Sequence, residues 1–456
     1  MHIHLSEHFS CGKLLRFTFP TMVMLIFTSV YGVVDGVFVS NYAGKTAFAA
    51  VNLVMPALMI FAAAGFMLGA GGSAVVARTM GEGDLPRANR CFSLIVAAGA
   101  AAGALLTLLA ELMMEPLCAA LGAEGEMLGL AALYGRVLSL ALTPFILQNM
   151  FQSFLVAAER PKLGLGLTVA AGLTNMLGDW LLVGVLPWGV AGAAIATVAS
   201  SFVGGVVPLA YFLLPNKTPL RLVRPRFEGR VLAQTCSNGS SEMMSNLSTS
   251  LVSILYNFQL MRLIGEDGVA AFGVIMYVNF IFIGVFMGYS IGAGPVISYH
   301  YGAGNRGELQ SLLRKSLLLM LAGCAGLTAA AAALAEPLSR IFVGYDAELL
   351  ALTARGFRLY ALSFLAMGFN IFASAFFTAL GSGAISAAIA FLRTLLFQTA
   401  AVFVLPLLLG LDGIWLAVTA AELLTLSVTA LFLATQGRRY GYGRSAGPFP
   451  PCLPPQ

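Results

Sequence analysis

Long apolar stretches follow one another along this chain and are separated by short polar segments. A helix needs about 20 apolar residues to cross the hydrocarbon core of a bilayer, and the pattern predicts twelve such spans. Only 10% of the residues are charged, whereas soluble domains carry roughly 25%. We therefore expect an all-α integral membrane protein. The predicted spans are 14–40, 46–76, 90–112, 128–157, 163–186, 189–214, 232–261, 268–298, 310–334, 349–379, 384–408 and 412–436.

The charged residues lie mostly between the spans and indicate the orientation. An even number of spans places both termini on one side. If that side is the cytoplasm, the tails and inner loops hold 18 of the 25 Lys and Arg residues, as the positive-inside rule requires. We expect a multi-pass protein of the cell membrane with both termini in the cytoplasm. The net charge of +5 then follows topology and gives no indication of nucleic-acid binding.

The sequence carries no familiar metal or catalytic motif. Its six cysteines show no CxxC spacing, so they predict neither a disulfide framework nor a metal cluster. His2, His4 and His8 precede Cys11 near the N-terminus, and we interpret them as part of a solvated tail rather than a metal site. No HExxH, Ser/His/Asp or paired-acid catalytic pattern falls at matching depth, which argues against an enzyme. We predict no cofactor other than a coupling ion.

The two halves of the chain repeat each other. Ala64–Gly81 lies over Val285–Gly302 and Asn149 over Asn370, each at a shift of 221 residues. Each half holds six spans, so both halves enter the membrane from the same side and form a parallel repeat. We predict two six-helix bundles around a central cavity. The predicted divisions are an N-terminal cytoplasmic tail (1–13), an N-lobe (14–215), a basic linker (216–231), a C-lobe (232–437) and a disordered Pro-rich tail (438–456).

Acidic residues inside the spans are the strongest chemical signal. A carboxylate at the bilayer centre costs roughly 2.5–3.5 kcal/mol and usually has a function. With a rise of about 1.5 Å per residue, Asp35, Asp179 and Thr197 reach similar depths in the outer half of the membrane. Asn175 lies four residues before Asp179, on the same helix face. These four residues predict a coupling site for a sodium ion or a shared proton; two separate structural carboxylates are the alternative.

A second polar region opens the seventh span. The run Ser237–Glu242 is too polar to face lipid. We interpret it as the wall of a wet cavity in which Glu242 attracts a cationic substrate, with hydrogen bonding between helices as the alternative. Arg393 and Glu422 lie near the midplane and are predicted to form a structural ion pair. Further candidates for the cavity wall are Gln148, Asn149, Gln152, Asn246, Asn279 and Asn370.

Several stretches, taken in order, resemble the MATE (multidrug and toxic compound extrusion) transporters from Leu14 to Gly437. The resemblance rests on VYGVVDGVFV around Asp35, AAVNLVMP at 49–56, ARTMGEGDLPRA at 77–88, NMLGDWLL and GVAGAAIAT at 175–197, and the Asn149/Asn370 repeat. It implies two six-helix bundles that work by alternating access. It also implies export of amphipathic, often cationic compounds in exchange for protons or sodium.

The resemblance also implies roles for single residues. Asp35, Asn175, Asp179 and Thr197 match the N-lobe cation site of the prokaryotic members. Glu242 matches the acid of their seventh helix, and Pro20 matches the proline at which their first helix bends. Some relatives carry an acid in the tenth helix, where this chain has Asn370 and no Asp or Glu. The difference favours coupling in the N-lobe.

Two other functions fit the sequence less well. A flippase of related fold for lipid-linked precursors would need more cationic residues in its cavity than Arg393 alone. A membrane-embedded transferase would need a nucleophile or base that the sequence does not display. We expect a small amphipathic or cationic substrate, the lipid bilayer as surroundings, no nucleic-acid partner and a monomer.

Overall fold

The computed structural model describes residues 3–38, 42, 45–216, 218–344 and 346–443, and this part of the chain is almost entirely helical. The predicted all-α class is confirmed. His2, Lys217 of the predicted linker and residues 444–456 of the predicted tail lie outside the described residues. The helices are α1 (Cys11–Phe38), α2 (Lys45–Gly81), α3 (Leu85–Ala120), α4 (Gly125–Ser139), α5 (Leu142–Ala157), α6 (Pro161–Asp179), α7 (Gly189–Leu213), α8 (Gly229–Leu263), α9 (Glu266–Gly302), α10 (Arg306–Val343), α11 (Ala347–Ala361), α12 (Phe364–Ala379), α13 (Gly383–Ala390), α14 (Gln398–Leu409) and α15 (Leu411–Tyr440), with π-helical segments at Trp180–Val185 and Phe391–Phe397.

The helices are long and apolar enough for a multi-pass membrane protein. Within the described residues, nine helical stretches could each cross a bilayer, and the number rises to eleven if each of two bent pairs is one span. The bent pairs are α4 with α5, at 56°, and α11 with α12, at 50°. The remaining long helix, α8, contains the polar run that begins at Ser237. The count of twelve spans therefore stays a prediction, while the membrane fold is confirmed.

The outer surface of the bundle is apolar. Leu112, Ile341, Leu407 and Leu408 are 70–84% exposed in the isolated chain. Soluble monomers rarely expose such residues in large contiguous patches, whereas lipid tails solvate them at no cost. The surface therefore agrees with a protein that lipid surrounds.

The two lobes, α1–α7 and α8–α15, pack against each other reciprocally. The first helix of each lobe packs on the second helix of the other, since α1 contacts α9 and α2 contacts α8. The bent pair α4–α5 of the N-lobe has its counterpart in α11–α12 of the C-lobe. This reciprocal packing is what the parallel sequence repeat predicts.

The lobes approach each other most closely where glycines face opposing main chain. A Cβ atom on Gly239 of α8 would lie 1.9 Å from the carbonyl oxygen of Met67 on α2. A Cβ atom on Gly302 of α9 would lie 2.1 Å from the carbonyl oxygen of Arg78 on α2. Any larger residue would force the helices apart, so glycine is required at both crossings.

Both ends of the described chain lie beside the start of α10. Phe9 N donates to Glu308 Oε1 at 2.9 Å, and Gln310 Nε2 donates to the carbonyl oxygen of Gly443 at 3.1 Å. We call this side of the molecule the terminal face. It also carries the crossing between Gly302 and α2.

Two predictions about the chain ends are wrong. Leu5 and Phe9 of the predicted solvated tail are fully buried, because the segment before α1 folds onto the lobes. At the other end α15 continues to Tyr440, and Tyr440 and Tyr442 are each only 8% exposed. Disorder predicted from residue 438 therefore begins too early, because proline richness sets in only after these packed tyrosines.

Candidate functional site

Four oxygen-bearing side chains of the N-lobe lie on three helices that pack together. Asp35 comes from α1, Asn175 and Asp179 from α6, and Thr197 from α7, and α6 packs against both of the other helices. Asp179 is fully buried, and Asn175 and Asp35 are 2% and 9% exposed. Asn175 Nδ2 donates to Thr197 Oγ1 at 3.2 Å. Asp35 and Asp179 lie within electrostatic reach of each other. We call these four residues the N-lobe oxygen cluster.

The acceptors of this cluster are unsatisfied. Asp35 Oδ1, Asn175 Oδ1 and both carboxylate oxygens of Asp179 have no hydrogen-bond donor among the described residues. Asp35 and Asp179 lie close enough to share a hydrogen bond when one of them is protonated. Buried polar atoms almost always have a partner, and leaving one without costs roughly 1–3 kcal/mol. No basic side chain of the described part is among the groups that act on either carboxyl. The cluster can therefore take up a proton or a cation from outside the chain.

The helix that supplies Asp179 changes geometry directly after it. α6 ends at Asp179 and continues as the π-helical segment Trp180–Val185. π-helical turns are rare and occur frequently at functional sites. The fifth predicted span of the C-lobe also contains such a segment, Phe391–Phe397, which carries Arg393. In each lobe a charged residue inside the membrane lies at or beside a π-helical segment.

Two tyrosines border the cluster, and the sequence analysis missed both. Tyr134 of α4 is fully buried, its hydroxyl has no hydrogen-bond partner among the described residues, and it lies within electrostatic reach of Asp35 and Asp179. Tyr31 lies one turn before Asp35 and close to Gln148. The spacing of four residues could have revealed Tyr31. Nothing local distinguishes Tyr134, since only packing brings it there.

Glu242 lines a cavity between the two lobes. The cavity holds about 50 Å³. Among its lining residues Glu242 is the charged one. The hydroxyl-bearing residues there were not predicted, because single serines in apolar helices carry no pattern. The lining residues are Ala70, Ser73, Ala74, Ser153, Glu242, Met287, Ser290, Ile291, Gly294, Pro295, Ile371, Ala375, Thr378 and Ala379.

Most of the other predicted cavity residues lie away from this lining. Gln148 and Gln152 face a separate small cavity inside the N-lobe. Asn149 and Asn246 each donate to the main-chain carbonyl four residues earlier, at 3.1 and 2.8 Å. Asn279 is 4% exposed, and its Oδ1 has no partner in the described chain. A substrate role for these five residues stays a prediction.

A charged network fills the interior of the C-lobe. Arg393 Nε lies 3.1 Å from Glu422 Oε1, and Asn370 Nδ2 donates to Glu422 Oε2 at 2.7 Å. Thr429 Oγ1 in turn donates to Asn370 Oδ1 at 2.9 Å. Asn370 is fully buried and belongs to this network rather than to the lining of the central cavity. The predicted pair of Arg393 and Glu422 is thus in contact.

Pro20 lies in the interior of α1 and is buried. Proline has no amide hydrogen, so the carbonyl of Arg16 loses its helical partner there. The helix is nevertheless continuous from Cys11 to Phe38. A bend at Pro20 stays a prediction.

Comparison with known families decides the relationship. The MatE family profile matches the chain twice, over residues 20–181 and 243–404, and so covers more than half of it. The chain belongs to the MatE family. The two matches start 223 residues apart, close to the shift of 221 residues at which the sequence repeats. The MatE repeat therefore coincides with the two lobes.

Individual relatives and solved structures agree with this family assignment. The multidrug export protein MepA of Staphylococcus aureus (strain MSSA476) is 23% identical over 310 residues, which are 67% of each chain. A crystal structure of MATE in complex with MaL6 superposes with a TM-score of 0.91 at 22% identity, covering 96% of this chain and 98% of that one. A multidrug resistance MATE family transporter in an outward-facing conformation has a TM-score of 0.90 at the same identity and coverage. The fold is thus that of MATE transporters.

Proposed function

We propose that this protein is a secondary active antiporter that exports amphipathic, often cationic organic compounds in exchange for protons or sodium. The observation that carries the proposal is the N-lobe oxygen cluster, with its buried carboxylates and no internal cation among the described residues. Two carboxylates in one buried site repel each other, so ionising both is unfavourable unless a proton or a cation binds between them. The relatives named as multidrug export proteins support export as the direction.

The coupling ion acts through the packing of α1 and α6. Asp35 and Asp179 come from these two neighbouring helices, so an ion or proton between them favours one helix arrangement over another. A ligand moves a conformational equilibrium only by its difference in affinity between the two states. The π-helical segment after Asp179 is a place where α6 can change its hydrogen-bond register. Binding at the cluster would thus bias which side of the lobe boundary is open.

The substrate binds between the lobes near Glu242. The carboxylate supplies a counter-charge for an organic cation, and Met287 and Ile371 supply an apolar wall. Drug-sized ligands occupy pockets of roughly 300–1,000 Å³, whereas this cavity holds about 50 Å³. The lobes must separate before such a ligand can enter, as alternating access requires.

Efflux from proteoliposomes tests the proposal. Ethidium is loaded inside, and its release is followed under an imposed proton gradient and, separately, an imposed sodium gradient. We expect one gradient to drive release in the wild type and Asp35→Asn and Asp179→Asn each to abolish it. Glu115→Gln is the matched control, because Glu115 is an exposed carboxylate paired with Arg136 outside the cluster.

Each result has a definite meaning. Release that survives both cluster substitutions would show that the coupling site lies elsewhere. A wild type that moves no cationic dye under either gradient would overturn multidrug antiport. Release that needs no gradient would contradict secondary active transport.

A further inference from the structure

The segment before α1 forms a folded strap on the terminal face. We define the strap as residues 3–10. His4 N donates to Glu7 Oε1 at 2.9 Å, Glu7 N donates to the carbonyl of His4 at 3.2 Å, and Lys13 pairs with the Glu7 carboxylate. The Lys13 ammonium holds the pKa of Glu7 below its usual value, which favours the charged form that closes this turn. Ser10 Oγ accepts a hydrogen bond from Lys13 N and so caps the N-terminus of α1, which begins at Cys11.

One end of the strap is anchored to the N-lobe through Glu159, in the turn after α5. His4 Nδ1 lies 2.7 Å from Glu159 Oε2, and Leu5 N donates to Glu159 Oε1 at 2.8 Å. Glu159 has a φ of 62°, and among the described residues it is the non-glycine residue with a positive φ. A left-handed backbone conformation is unfavourable for a residue with a side chain. The two hydrogen bonds to the carboxylate help to stabilise Glu159 in this conformation.

The other end of the strap reaches the C-lobe through Glu308. His8 Nδ1 lies 2.6 Å from Glu308 Oε2, and Phe9 N donates to Glu308 Oε1 at 2.9 Å. Lys315, two turns further along α10, donates to the carbonyl oxygen of Phe9. The ring of Phe9 meets His300 of α9 edge to face, with centroids 6.5 Å apart. The second contact repeats the first, with one histidine and the next main-chain amide on one carboxylate.

We infer that the strap is a catch that holds the two lobes together at the terminal face. Residues 8 and 9 directly precede α1, an N-lobe helix, and they bind α10, a C-lobe helix. Glu308 and Lys315 are thus joined to the N-lobe through hydrogen bonds that exist only while the lobes are closed here. The contact at Glu159 stays within the N-lobe and positions the strap for the catch.

Because the strap is buried, its release from the lobes has a high free-energy cost. Leu5 and Phe9 are both fully buried, so opening exposes apolar surface as well as breaking hydrogen bonds. The Glu308 side chain is 7% exposed, and its two oxygens take two contacts from the strap, one from the His8 ring and one from the main-chain amide of Phe9. The glycine crossing at Gly302 lies on the same face, and its two main chains must also part there. The catch therefore adds to the stability of the state that is closed at the terminal face.

Distances across the terminal face test the inference, which rests on the alternating access proposed above. Spin labels replace Lys162 of α6 and Arg314 of α10, two exposed residues outside the strap, in a background without the native cysteines. Distances are measured by pulsed EPR in nanodiscs, without any transport assay. We expect Glu308→Gln to raise the ratio of open to closed populations about tenfold, as loss of one charge-assisted hydrogen bond would.

Matched variants separate a catch from general loss of stability. Glu82→Gln is the control, because Glu82, directly after α2, is a carboxylate paired with Arg78 of the same lobe. Glu159→Gln should shift the ratio in the same direction by a smaller factor. The double variant with Glu308→Gln should shift it no further than Glu308→Gln alone, because an anchor has no effect on opening once the catch is gone. If the two substitutions were independent structural defects, their effects on the ratio of open to closed populations would instead multiply.

Deletion of residues 2–9 removes most of the strap and leaves Glu159 and Glu308 unchanged. It should reproduce the shift of Glu308→Gln. An unchanged ratio in both the deletion and Glu308→Gln would overturn the inference, as would a shift no larger than that of Glu82→Gln. If no ion or substrate condition changes the wild-type distance, alternating access itself fails, and this result is distinct from a failure of the strap alone.

Discussion

In the C-lobe, Arg393 Nε lies 3.1 Å from Glu422 Oε1. In the N-lobe, by contrast, Asp35 and Asp179 have no basic partner among the described residues. The C-lobe carboxylate is also bound by Asn370 at 2.7 Å. One lobe thus carries its own cation as a side chain, and the other presents unsatisfied oxygens. Among the described residues, the two lobes of one repeat therefore differ in how their buried carboxylates are compensated.

The ion pair of the C-lobe makes a prediction about stability. Arg393→Met leaves Glu422, which is 3% exposed, as an uncompensated buried carboxylate. Breaking such a pair costs roughly 3–5 kcal/mol, and thermal unfolding in detergent should show a large loss. The double variant Arg393→Met/Glu422→Met should regain most of it, since no buried charge remains. Equal losses in the single and double variants would show that the pair itself is unimportant.

Tyr134 makes a prediction about ion affinity. Its hydroxyl is buried near Asp35 and Asp179, and no described residue is its hydrogen-bond partner. Tyr134→Phe removes an unsatisfied group, so thermal stability should change by less than about 1 kcal/mol. The ion or proton concentration that half-saturates transport should nevertheless shift several-fold, because the hydroxyl lies within electrostatic reach of both carboxyls. Tyr360→Phe in the C-lobe, also buried, is the control and should leave the ion dependence unchanged.

Glu242 makes a prediction about substrate charge. It is the charged residue in the lining of the cavity between the lobes. Glu242→Gln keeps the shape and removes the counter-charge, so efflux of a cationic dye should fall while efflux of a neutral amphipathic dye persists. Paired assays on the same proteoliposomes measure the ratio. Equal loss for both dyes would assign Glu242 to folding or to the conformational change.

The glycine crossing makes a prediction about closure. A Cβ atom on Gly239 would lie 1.9 Å from the Met67 carbonyl oxygen of the other lobe. Gly239→Ala should therefore keep α2 and α8 apart and abolish transport. Gly166→Ala in α6 is the control, because nothing lies within 4 Å of its Cβ position, and alanine there should stabilise the helix by roughly 0.5–1 kcal/mol. Normal transport by Gly239→Ala would mean that the crossing is not needed for the cycle.

Much of the fold could be predicted from local pattern. The bounds of α2, α3 and α9 differ from the predicted spans because the helices continue into segments that were predicted as loops. The bends between α4 and α5 and between α11 and α12 were not predicted. Pro144 follows the first break and removes the hydrogen bond to the carbonyl of Leu140, a signal that the sequence analysis did not use. The second break, at Leu362 and Ser363, has no proline nearby. The chain ends were misjudged for a related reason: Leu5 and Phe9 are isolated apolar residues in a polar segment, and only their docking on the lobes buries them.

The candidate site was predicted in part. Four-residue spacing and equal depth are properties of single helices, and they indicated the proximity of Asn175 and Thr197 that the structure shows. The coupling role of these residues and of Asp179 stays a prediction. The same reasoning put Asn370 on the cavity wall, although it binds Glu422 inside the C-lobe. Depth along a helix can be read from residue number, whereas the direction in which a side chain points depends on how the helix is rotated against its neighbours.

The sequence by itself determined that the chain crosses a membrane many times, that its halves repeat, and which residues carry charge at membrane depth. These properties depend on composition and spacing along the chain, which neighbouring helices do not alter. Only the tertiary structure decided which charges are satisfied: Arg393 neutralises Glu422, while Asp179 has no internal cation in the described part. Likewise His8 meets Glu308 across 300 residues of sequence. Contacts of this kind arise from packing two lobes together, and no local pattern encodes them.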